Sequence, residues 1–172
     1  MARDLAPRIR SQPLRAPLHV VLVEPEIPPN TGNIARLCAA TGTTLHLVGP
    51  LGFRVDDRAL RRAGLDYWHL VEVRRHLDLA HLRNALPDAR WILLSASARQ
   101  SYLDARYRPG DVLLFGRESV GLPDDLLAQH PGSVFGIPTL GPVRSLNLAN
   151  AAAIVLYEAL RQIGALSETF MG

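Results

Sequence analysis

Arg36 and Asn33 are residues whose type and spacing suggest chemistry. They belong to the stretch EPEIPPNTGNIARLCAATG, residues 24–42, whose middle part has a helical pattern. With about 100° between successive residues of a helix, the apolar face of this pattern consists of Ile34, Leu37, Cys38 and Thr41. Arg36 lies roughly opposite this face, and Asn33 is its neighbour one turn earlier. The pair therefore points away from the core of its own helix, where it either meets a ligand or is exposed to solvent.

The position of this helix in the chain favours a binding site. The apolar run LHVVLVE, residues 18–24, has the length of a strand and ends just before the turn. Asn30 or Thr31 is expected to cap the helix, and Gly42 is expected to end it. Ligands of open α/β sheets bind beyond the carboxyl ends of the strands. If the chain forms such a sheet, Arg36 lies near the ligand.

Two later stretches also end a strand in a polar turn. LFGRESVGLP, residues 114–123, places Gly116 at the end of an apolar run, where a missing side chain lets a ligand approach the backbone. IPTLGPVRSLNLANAAAIVLYEALRQ, residues 137–162, leads into a long helix that is apolar or small nearly all round. The entry of this helix contains Arg144, Ser145 and Asn147. Burial by a partner subunit would suit the helix, whereas ordinary turn chemistry also explains the glycines.

Apolar segments of strand length alternate with helical patterns after Pro17. The strand segments are residues 18–24, 44–48, 68–73, 91–96, 111–116 and 133–138. The helical patterns cover residues 32–41, 56–63, 76–86, 123–129 and 147–163. Mostly uninterrupted apolar strands between helices predict a parallel sheet that is covered on both faces. The predicted fold class is therefore α/β, a single doubly wound domain.

Composition excludes several classes of protein and of active site. The chain has 172 residues, 48% of them hydrophobic and 20% charged, as in a globular domain. No apolar run has the length of a membrane span, and Cys38 is the single cysteine, so a reducing, cytoplasmic environment is expected. All 19 basic residues are arginine, which excludes sites that need a lysine. The motifs G-x-G-x-x-G and G-x-S-x-G are absent.

The excess positive charge is concentrated at the N-terminus. Residues 1–17 contain four arginines against one aspartate, and the rest of the chain holds equal numbers of arginines and acids. Three prolines in the segment favour a disordered basic arm. The arm either contacts nucleic-acid phosphates or is a solvated extension. A mitochondrial transit peptide is a third interpretation, less consistent with a short segment of weak helical pattern.

Taken together, these motifs resemble the SPOUT class of RNA methyltransferases, and closely the small tRNA 2′-O-methyltransferases of the TrmL type. The resemblance begins with VLVEPEIPPNTGNIARLCAATG, continues through GPLGF and LRRAGLDYW, and resumes at LLFGRESVGLP and IPTLGPVRSLNLANAAAIVLYEALRQ. It covers about residues 17–163. The expected organisation is a basic arm (1–17), a methyltransferase domain (18–164) and a C-terminal tail (165–172).

The resemblance implies methyl transfer from S-adenosylmethionine to the ribose 2′-hydroxyl of the wobble nucleotide, C or U, of a tRNA anticodon. S-Adenosylhomocysteine is the implied product, and no metal is expected because the sulfonium is already activated. The implied catalytic residues are Arg36, acting at the ribose hydroxyl, and Asn147, orienting the ribose. The implied cofactor-binding positions are Leu94, Gly116, Ile137, Ser145 and Leu146. The implied substrate-side positions are Asn30, Asn33, Glu118 and Arg144.

The same resemblance implies a fold and an assembly. A deep trefoil knot is expected in the C-terminal half, although true knots are otherwise nearly absent from proteins. Its loops are expected to hold the cofactor in a bent shape, chiefly through backbone groups. A homodimer is expected to pack the long C-terminal helices across its two-fold axis, each site borrowing residues from the partner subunit.

Other functions remain open at the level of sequence. A knotted RNA-binding protein without catalysis would keep the fold and the basic arm, but it would not need intact cofactor loops. A 2′-O-methyltransferase could act on another tRNA or rRNA site, because residues 97–110, SARQSYLDARYRPG, do not match the family pattern. A flavodoxin-like nucleotide-binding module does not explain the loops rich in proline and asparagine.

Overall fold

A parallel sheet forms the centre of the molecule. The computed structural model describes residues 6–54, 58, 62 and 67–172. The strands of these residues are β1 Ile9–Ser11, β2 His19–Val23, β3 Thr44–Val48, β4 Val73–His76, β5 Trp91–Leu94, β6 Val112–Phe115, β7 Val134–Phe135 and β8 Thr169–Met171. Across the main sheet the order is β4-β3-β2-β6-β5-β7, and every neighbouring pair is parallel. The predicted α/β class with a parallel sheet is confirmed.

Helices cover both faces of this sheet. Those of the described residues are α1 Pro28–Thr41, α2 Leu79–Ala85, α3 Asp124–Gln129 and α4 Leu148–Gln162, with a 3₁₀ turn at Pro131–Ser133. The helical pattern predicted at 56–63 falls largely outside the described residues. None of the described helices has the length and apolar composition needed to cross a membrane.

Two apolar cores explain why the strands read as uninterrupted apolar runs. Along β2, Val20 and Leu22 pack with α1 and α4 on one face, whereas Val21 and Val23 pack on the other. Successive residues of a strand point to opposite faces, so a sheet covered on both sides needs apolar residues at every position. The inner residues of α4 are buried within this one chain, Ala152 among them. The outward side of α4 is exposed in the single chain, so its burial by a partner subunit stays a prediction.

The start of α1 differs from the predicted cap. The helix begins at Pro28, after Ile27 in an extended conformation, so Asn30 lies inside the helix and does not cap it. Proline is well suited to the first turn, because its fixed φ is helical and its missing N–H has no partner there anyway. At the other end Gly42 has φ 64°, and its N–H donates to the carbonyl of Cys38, as predicted for a terminating glycine.

Two edge strands differ from their predicted bounds. Residues 68–73 were predicted as a strand, but the strand is Val73–His76 and Trp68 ends a helical segment instead. Trp68 packs against the core without strand pairing, and the charged VRRH sequence is tolerated at a sheet edge. The strand predicted at 133–138 is reduced to β7, because Pro138 lacks an N–H for a sheet ladder.

The N-terminal segment is ordered where it meets the C-terminal segment. Strand β1 pairs antiparallel with β8, with Ile9 opposite Met171 and Arg10 opposite Phe170. Leu14 then packs against the core of the main sheet. The prediction that residues 1–17 form a disordered arm is therefore wrong for residues 9–11, because they have a strand partner 160 positions away in sequence that local composition does not reveal.

Three histidines join neighbouring strands on one face of the sheet. His46 Nε2 lies 2.9 Å from His19 Nδ1, and His46 Nδ1 lies 2.8 Å from His76 Nε2. His46 is fully buried, and burial lowers its pKa to about 3. A neutral imidazole can donate from one nitrogen and accept at the other, so neutral His46 can bond to both neighbouring rings. His46 is thus a core residue, whereas His69 lies in a turn.

Candidate active site

Loops from three strands meet beyond their carboxyl ends. The chain leaves β2 at Glu24, leaves β6 at Gly116 and leaves β7 at Gly136. Parallel strands bring their carboxyl ends to one edge of a sheet, where α/β proteins bind ligands. The hydrogen bonds between these loops define the candidate site.

Glu118 holds the loop after β6 against the start of α1. Its carboxylate accepts from the backbone N–H groups of Glu26, at 2.8 Å, and Ile27, at 3.0 Å. It also accepts from Asn30 Nδ2 at 3.3 Å. A carboxylate is favourable at a helix N-terminus, where the peptide dipoles leave a partial positive charge. Glu118 thus anchors, from a distant loop, the segment that leads into α1.

Asn147 connects the same helix to the start of α4. Its Nδ2 donates to Asn30 Oδ1 at 3.0 Å, and its Oδ1 accepts from the N–H groups of Ala149 at 2.9 Å and Asn150 at 3.3 Å. Asn147 is therefore the N-cap of α4. Glu118, Asn30 and Asn147 form one hydrogen-bonded chain, which we call the loop clamp. It brings together three residues that the sequence analysis assigned to two different roles.

A second set of contacts fixes the backbone just before α1. Arg117 Nε donates to Glu24 Oε2 at 3.0 Å, and Ser119 Oγ donates to Glu26 Oε1 at 2.6 Å. Glu24 has φ 50°, a left-handed conformation that is unusual for a residue with a side chain. Sequence reasoning missed these contacts. No local pattern signals them, because the partners are 93 positions apart.

Gly116 is required by the packing of its own loop. A Cβ at this position would lie 2.0 Å from the carbonyl carbon of Gly121. The N–H of Gly121 donates to the carbonyl of Arg117 at 2.8 Å, and Gly121 has φ 73°. The turn packs directly against the Cα of Gly116, so turn geometry alone explains why this position has no side chain.

Arg36 and Asn33 lie on the outward side of α1, as predicted. Both are exposed, whereas Ile34 and Cys38 on the opposite side are fully buried. The guanidinium carbon of Arg36 lies 4.6 Å from the centre of the Tyr67 ring, a cation–π contact. Among the described residues, no hydrogen bond joins Arg36 to the loop clamp. Burial raises the pKa of the Cys38 thiol to about 12, so this cysteine is not a nucleophile.

The remaining predicted site residues line the loops after β5 and β7. Leu94 ends β5 and is 8% exposed, and Ile137 packs against the main core. Arg144, Ser145 and Leu146 are exposed, in a stretch from 137 to 147 that has neither helix nor strand. Free backbone donors and acceptors beside apolar Ile137 and Leu146 suit a ligand with an aromatic base and polar edges, such as an adenosyl group. Within the described residues, no cluster of metal-ligating side chains is present.

The segment 97–110, in which the sequence analysis found no family motif, borders this loop. The N–H of Gly136 donates to the carbonyl of Gln100, and the N–H of Tyr102 donates to the carbonyl of Gly136, each at 2.8 Å. A Cβ on Gly136 would lie 3.1 Å from the Cβ of Ala98, so the two segments are in direct contact. Variation in 97–110 therefore changes the rim of the candidate site.

Comparison with known proteins identifies the family of this chain. The model of the SpoU rRNA methylase family matches residues 17–157. The chain belongs to the SpoU methylase family. This confirms the class of RNA methyltransferase that its motifs resemble. The match includes β2, α1, the loop clamp and most of α4, and it leaves out β1 and β8.

Individual members of the SpoU family are similar over most of their length. A tRNA (cytidine(34)-2′-O)-methyltransferase of Acidovorax sp. strain JS42 is 52% identical over 147 residues, covering 84% of this chain and 91% of the relative. A solved structure described as giving insights into the 2-OH methylation of C/U34 on tRNA has a TM-score of 0.82 and 51% identity, covering 86% of this chain and 96% of that one.

A more distant SpoU methyltransferase was solved with its cofactor. The protein AviRb from Streptomyces viridochromogenes, in complex with AdoMet, has a TM-score of 0.77 and 26% identity. The alignment covers 87% of this chain and 62% of AviRb.

Proposed function

We propose that this protein transfers a methyl group from S-adenosylmethionine to the ribose 2′-hydroxyl of nucleotide 34, C or U, of tRNA. The observation that carries the proposal is the similarity over most of both chains to proteins named for this reaction. The loop clamp and the outward Arg36 support catalysis over a purely RNA-binding role. A cytoplasmic location is inferred with it, since tRNA is the substrate.

The loops beyond β5, β6 and β7 are the proposed cofactor site. Residues proposed to line it are Leu94, Gly116, Ile137, Ser145 and Leu146. Backbone groups of the exposed stretch 138–147 would meet the polar edges of the cofactor, and Ile137 and Leu146 would cover its apolar face. When bound, the cofactor supplies a methyl group on a sulfonium, which is already activated for displacement. AviRb in complex with AdoMet supports this assignment by family likeness.

Arg36 is proposed to stabilise the ribose oxygen as it loses its proton. A guanidinium remains charged at any pH that a protein tolerates, so it is a fixed positive charge rather than a base. Positive groups aimed at a developing oxyanion lower the barrier, because they need no reorganisation during the reaction. Water or an RNA phosphate would receive the proton. Asn33, one turn away on the same side, and Arg144 are proposed to contact the RNA.

The loop clamp is proposed to position Arg36 relative to the cofactor loops. Glu118 fixes the first turn of α1, and Asn147 joins that turn to the loop that ends at α4. Most of the hydrogen-bonding capacity of Asn147 is already used by Asn30 and by the cap of α4. We therefore assign Asn147 to alignment of the site, with one amide hydrogen left for the ribose.

Homodimerisation is proposed through the outward side of α4. Ile154 is 37% exposed and Tyr157 is 46% exposed, and they are neighbours at a spacing of three residues. Exposed tyrosine and isoleucine on one helix face suit a symmetric helix pair, in which the same patch meets itself. The C-terminal trefoil knot remains a prediction from the family resemblance.

The test is methylation of a defined tRNA in vitro. Purified protein, labelled S-adenosylmethionine and a tRNA with C or U at position 34 should yield a 2′-O-methyl group at nucleotide 34 by mass spectrometry. A tRNA with a 2′-deoxy nucleotide at that position is the matched control, and it should accept no label. Methylation at any other nucleotide, or label incorporated into the deoxy substrate, would overturn the assignment.

A further inference from the structure

A two-stranded ribbon lies outside the part of the chain that the family model matches. The family match covers residues 17–157, whereas β1 is Ile9–Ser11 and β8 is Thr169–Met171. Ser11 Oγ donates to the carbonyl of Glu168 at 3.0 Å and joins the two ends of the ribbon, and Leu14, which follows β1, packs against the core of the main fold. It is therefore an ordered addition to the methyltransferase fold.

One face of the ribbon combines two arginines with an aromatic ring. Alternate residues of a strand share a face, so Arg8 and Arg10 lie on the same side, and Phe170 is the partner of Arg10. Arg8 in turn pairs with Gly172 through backbone hydrogen bonds of 2.9 and 3.0 Å. A Cβ on Gly172 would lie 3.0 Å from a carbon of the Phe170 ring and 3.4 Å from Arg10 Cγ. The ring and the arginine stem thus lie together over Gly172.

This basic-aromatic face is open to solvent. Phe170 is 45% exposed, and both Arg8 and Arg10 are exposed. Neither arginine forms an ion pair with another of the described residues. The opposite face carries Ile9 and Met171. The charge of the segment is unbalanced as well, since residues 1–17 hold the whole positive excess of the chain.

We propose that the face formed by Arg8, Arg10 and Phe170 binds the tRNA substrate. Arginine neutralises phosphates and releases their counterions, and an exposed aromatic ring stacks on an unpaired base. A phosphate partner explains the free cations, and a base explains the exposed ring between them. The proposal rests on the proposed function for its choice of tRNA.

The ribbon acts on binding and not on methyl transfer. It precedes the amino end of β2, whereas the loop clamp follows the carboxyl ends of the strands. The ribbon residues are therefore separate from the reacting atoms, and they form a second contact with the RNA. Loss of the contact should raise the Kd for tRNA and leave the single-turnover rate at saturating tRNA unchanged.

The test is tRNA binding by the full chain over a series of salt concentrations. The double variant Arg8→Gln, Arg10→Gln should reduce the slope of log Kd against log salt by about 1.4 to 1.8, the effect of two phosphate contacts. Phe170→Ala should weaken binding by about five- to 150-fold at constant slope, the effect of a lost stacked base. Phe170→Tyr should bind normally, and Phe170→Leu, which keeps an apolar side chain over Gly172, should behave as Phe170→Ala.

Two control variants separate this face from charge and exposure in general. Arg15→Gln removes one exposed arginine outside the ribbon, and Ile9→Ala removes an exposed apolar side chain from its opposite face. Both should bind tRNA within about twofold of the unmodified chain. The proposal would be overturned if the control variants lost as much tRNA affinity as the ribbon variants, or if the ribbon variants kept normal affinity. It would also be overturned if the main effect of the ribbon variants were a changed dissociation constant of the dimer.

The outcome can be separated from the test of methylation. Ribbon-dependent tRNA binding without a methyl group at nucleotide 34 would support the ribbon contact and reject the reaction. If the unmodified chain methylates nucleotide 34 and the ribbon variants bind tRNA with normal affinity, the reaction is supported and the ribbon contact is rejected.

Discussion

Removal of the Arg36 guanidinium should separate catalysis from stability. Arg36 is exposed, and its contact with Tyr67 is a cation–π pair, worth about 0.5–1 kcal/mol at an exposed site. Alanine is the better helix former by a few tenths of a kcal/mol, which offsets part of that loss. We therefore expect Arg36→Ala to lower the free energy of unfolding by less than about 1 kcal/mol, because it opens no cavity in the core.

The effect on turnover should be far larger. Loss of one group that stabilises a developing oxyanion slows reactions by about a hundred- to a thousandfold, or about 2.7–4 kcal/mol of barrier. Arg36→Lys should recover little of the rate, because a point charge on a different stem does not reproduce the planar guanidinium. The assay is single-turnover methyl transfer at saturating tRNA, beside calorimetric binding of S-adenosylhomocysteine and urea unfolding.

The matched control is Arg75→Ala, which removes an exposed arginine from edge strand β4. It should retain the normal transfer rate. An Arg36→Ala protein that transfers methyl groups at a near-normal rate would refute the catalytic assignment. A variant that fails to fold would show that Arg36 acts in the structure.

Three further perturbations follow from particular contacts. Glu118→Gln replaces one accepting oxygen with an NH₂ group that faces a backbone N–H, so the free energy of unfolding in urea should fall by about 1–2 kcal/mol. An unchanged urea midpoint would contradict the stabilising role of the loop clamp. Tyr157→Asp should give monomers in sedimentation that transfer few methyl groups, and a stable, active dimer would exclude this face of α4 as the interface. Ala152→Arg should instead unfold the chain itself, because Ala152 is buried within it. Because His46 has a pKa of about 3 when folded and 6.5 when unfolded, stability should fall as pH drops from about 6.5 towards 3, by up to about 1.4 kcal/mol per pH unit. Urea unfolding of His46→Leu should show a flatter dependence over this window, and an identical dependence would count against the neutral histidine chain.

Local sequence determined those features that depend on nearest neighbours or on periodicity. Uninterrupted apolar runs predicted a sheet covered on both faces, because each strand residue contacts one of two cores. Gly42 predicted the end of α1, because the left-handed conformation there favours glycine. Helical periodicity placed Arg36 on the outward side of α1, and motif resemblance gave the family.

Edges and termini required the tertiary structure. The strand predicted at 68–73 was displaced to Val73–His76, because an apolar run can pack against a core without joining a sheet. Residues 9–11 were predicted to be disordered from composition, yet they pair with residues 169–171. No pattern within either segment encodes the other, and the pair exists because the main fold brings them together.

The organisation of the site was decided by the tertiary structure as well. From sequence, Glu118 and Asn30 were substrate-side positions and Asn147 was catalytic. The fold joins them in one hydrogen-bonded chain across 88 and 117 positions of sequence. Glu118 accepts from the backbone N–H groups of Glu26 and Ile27, which directly precede α1. Sequence thus specified which residue types are available, and the convergence of three strand ends decided which of them interact.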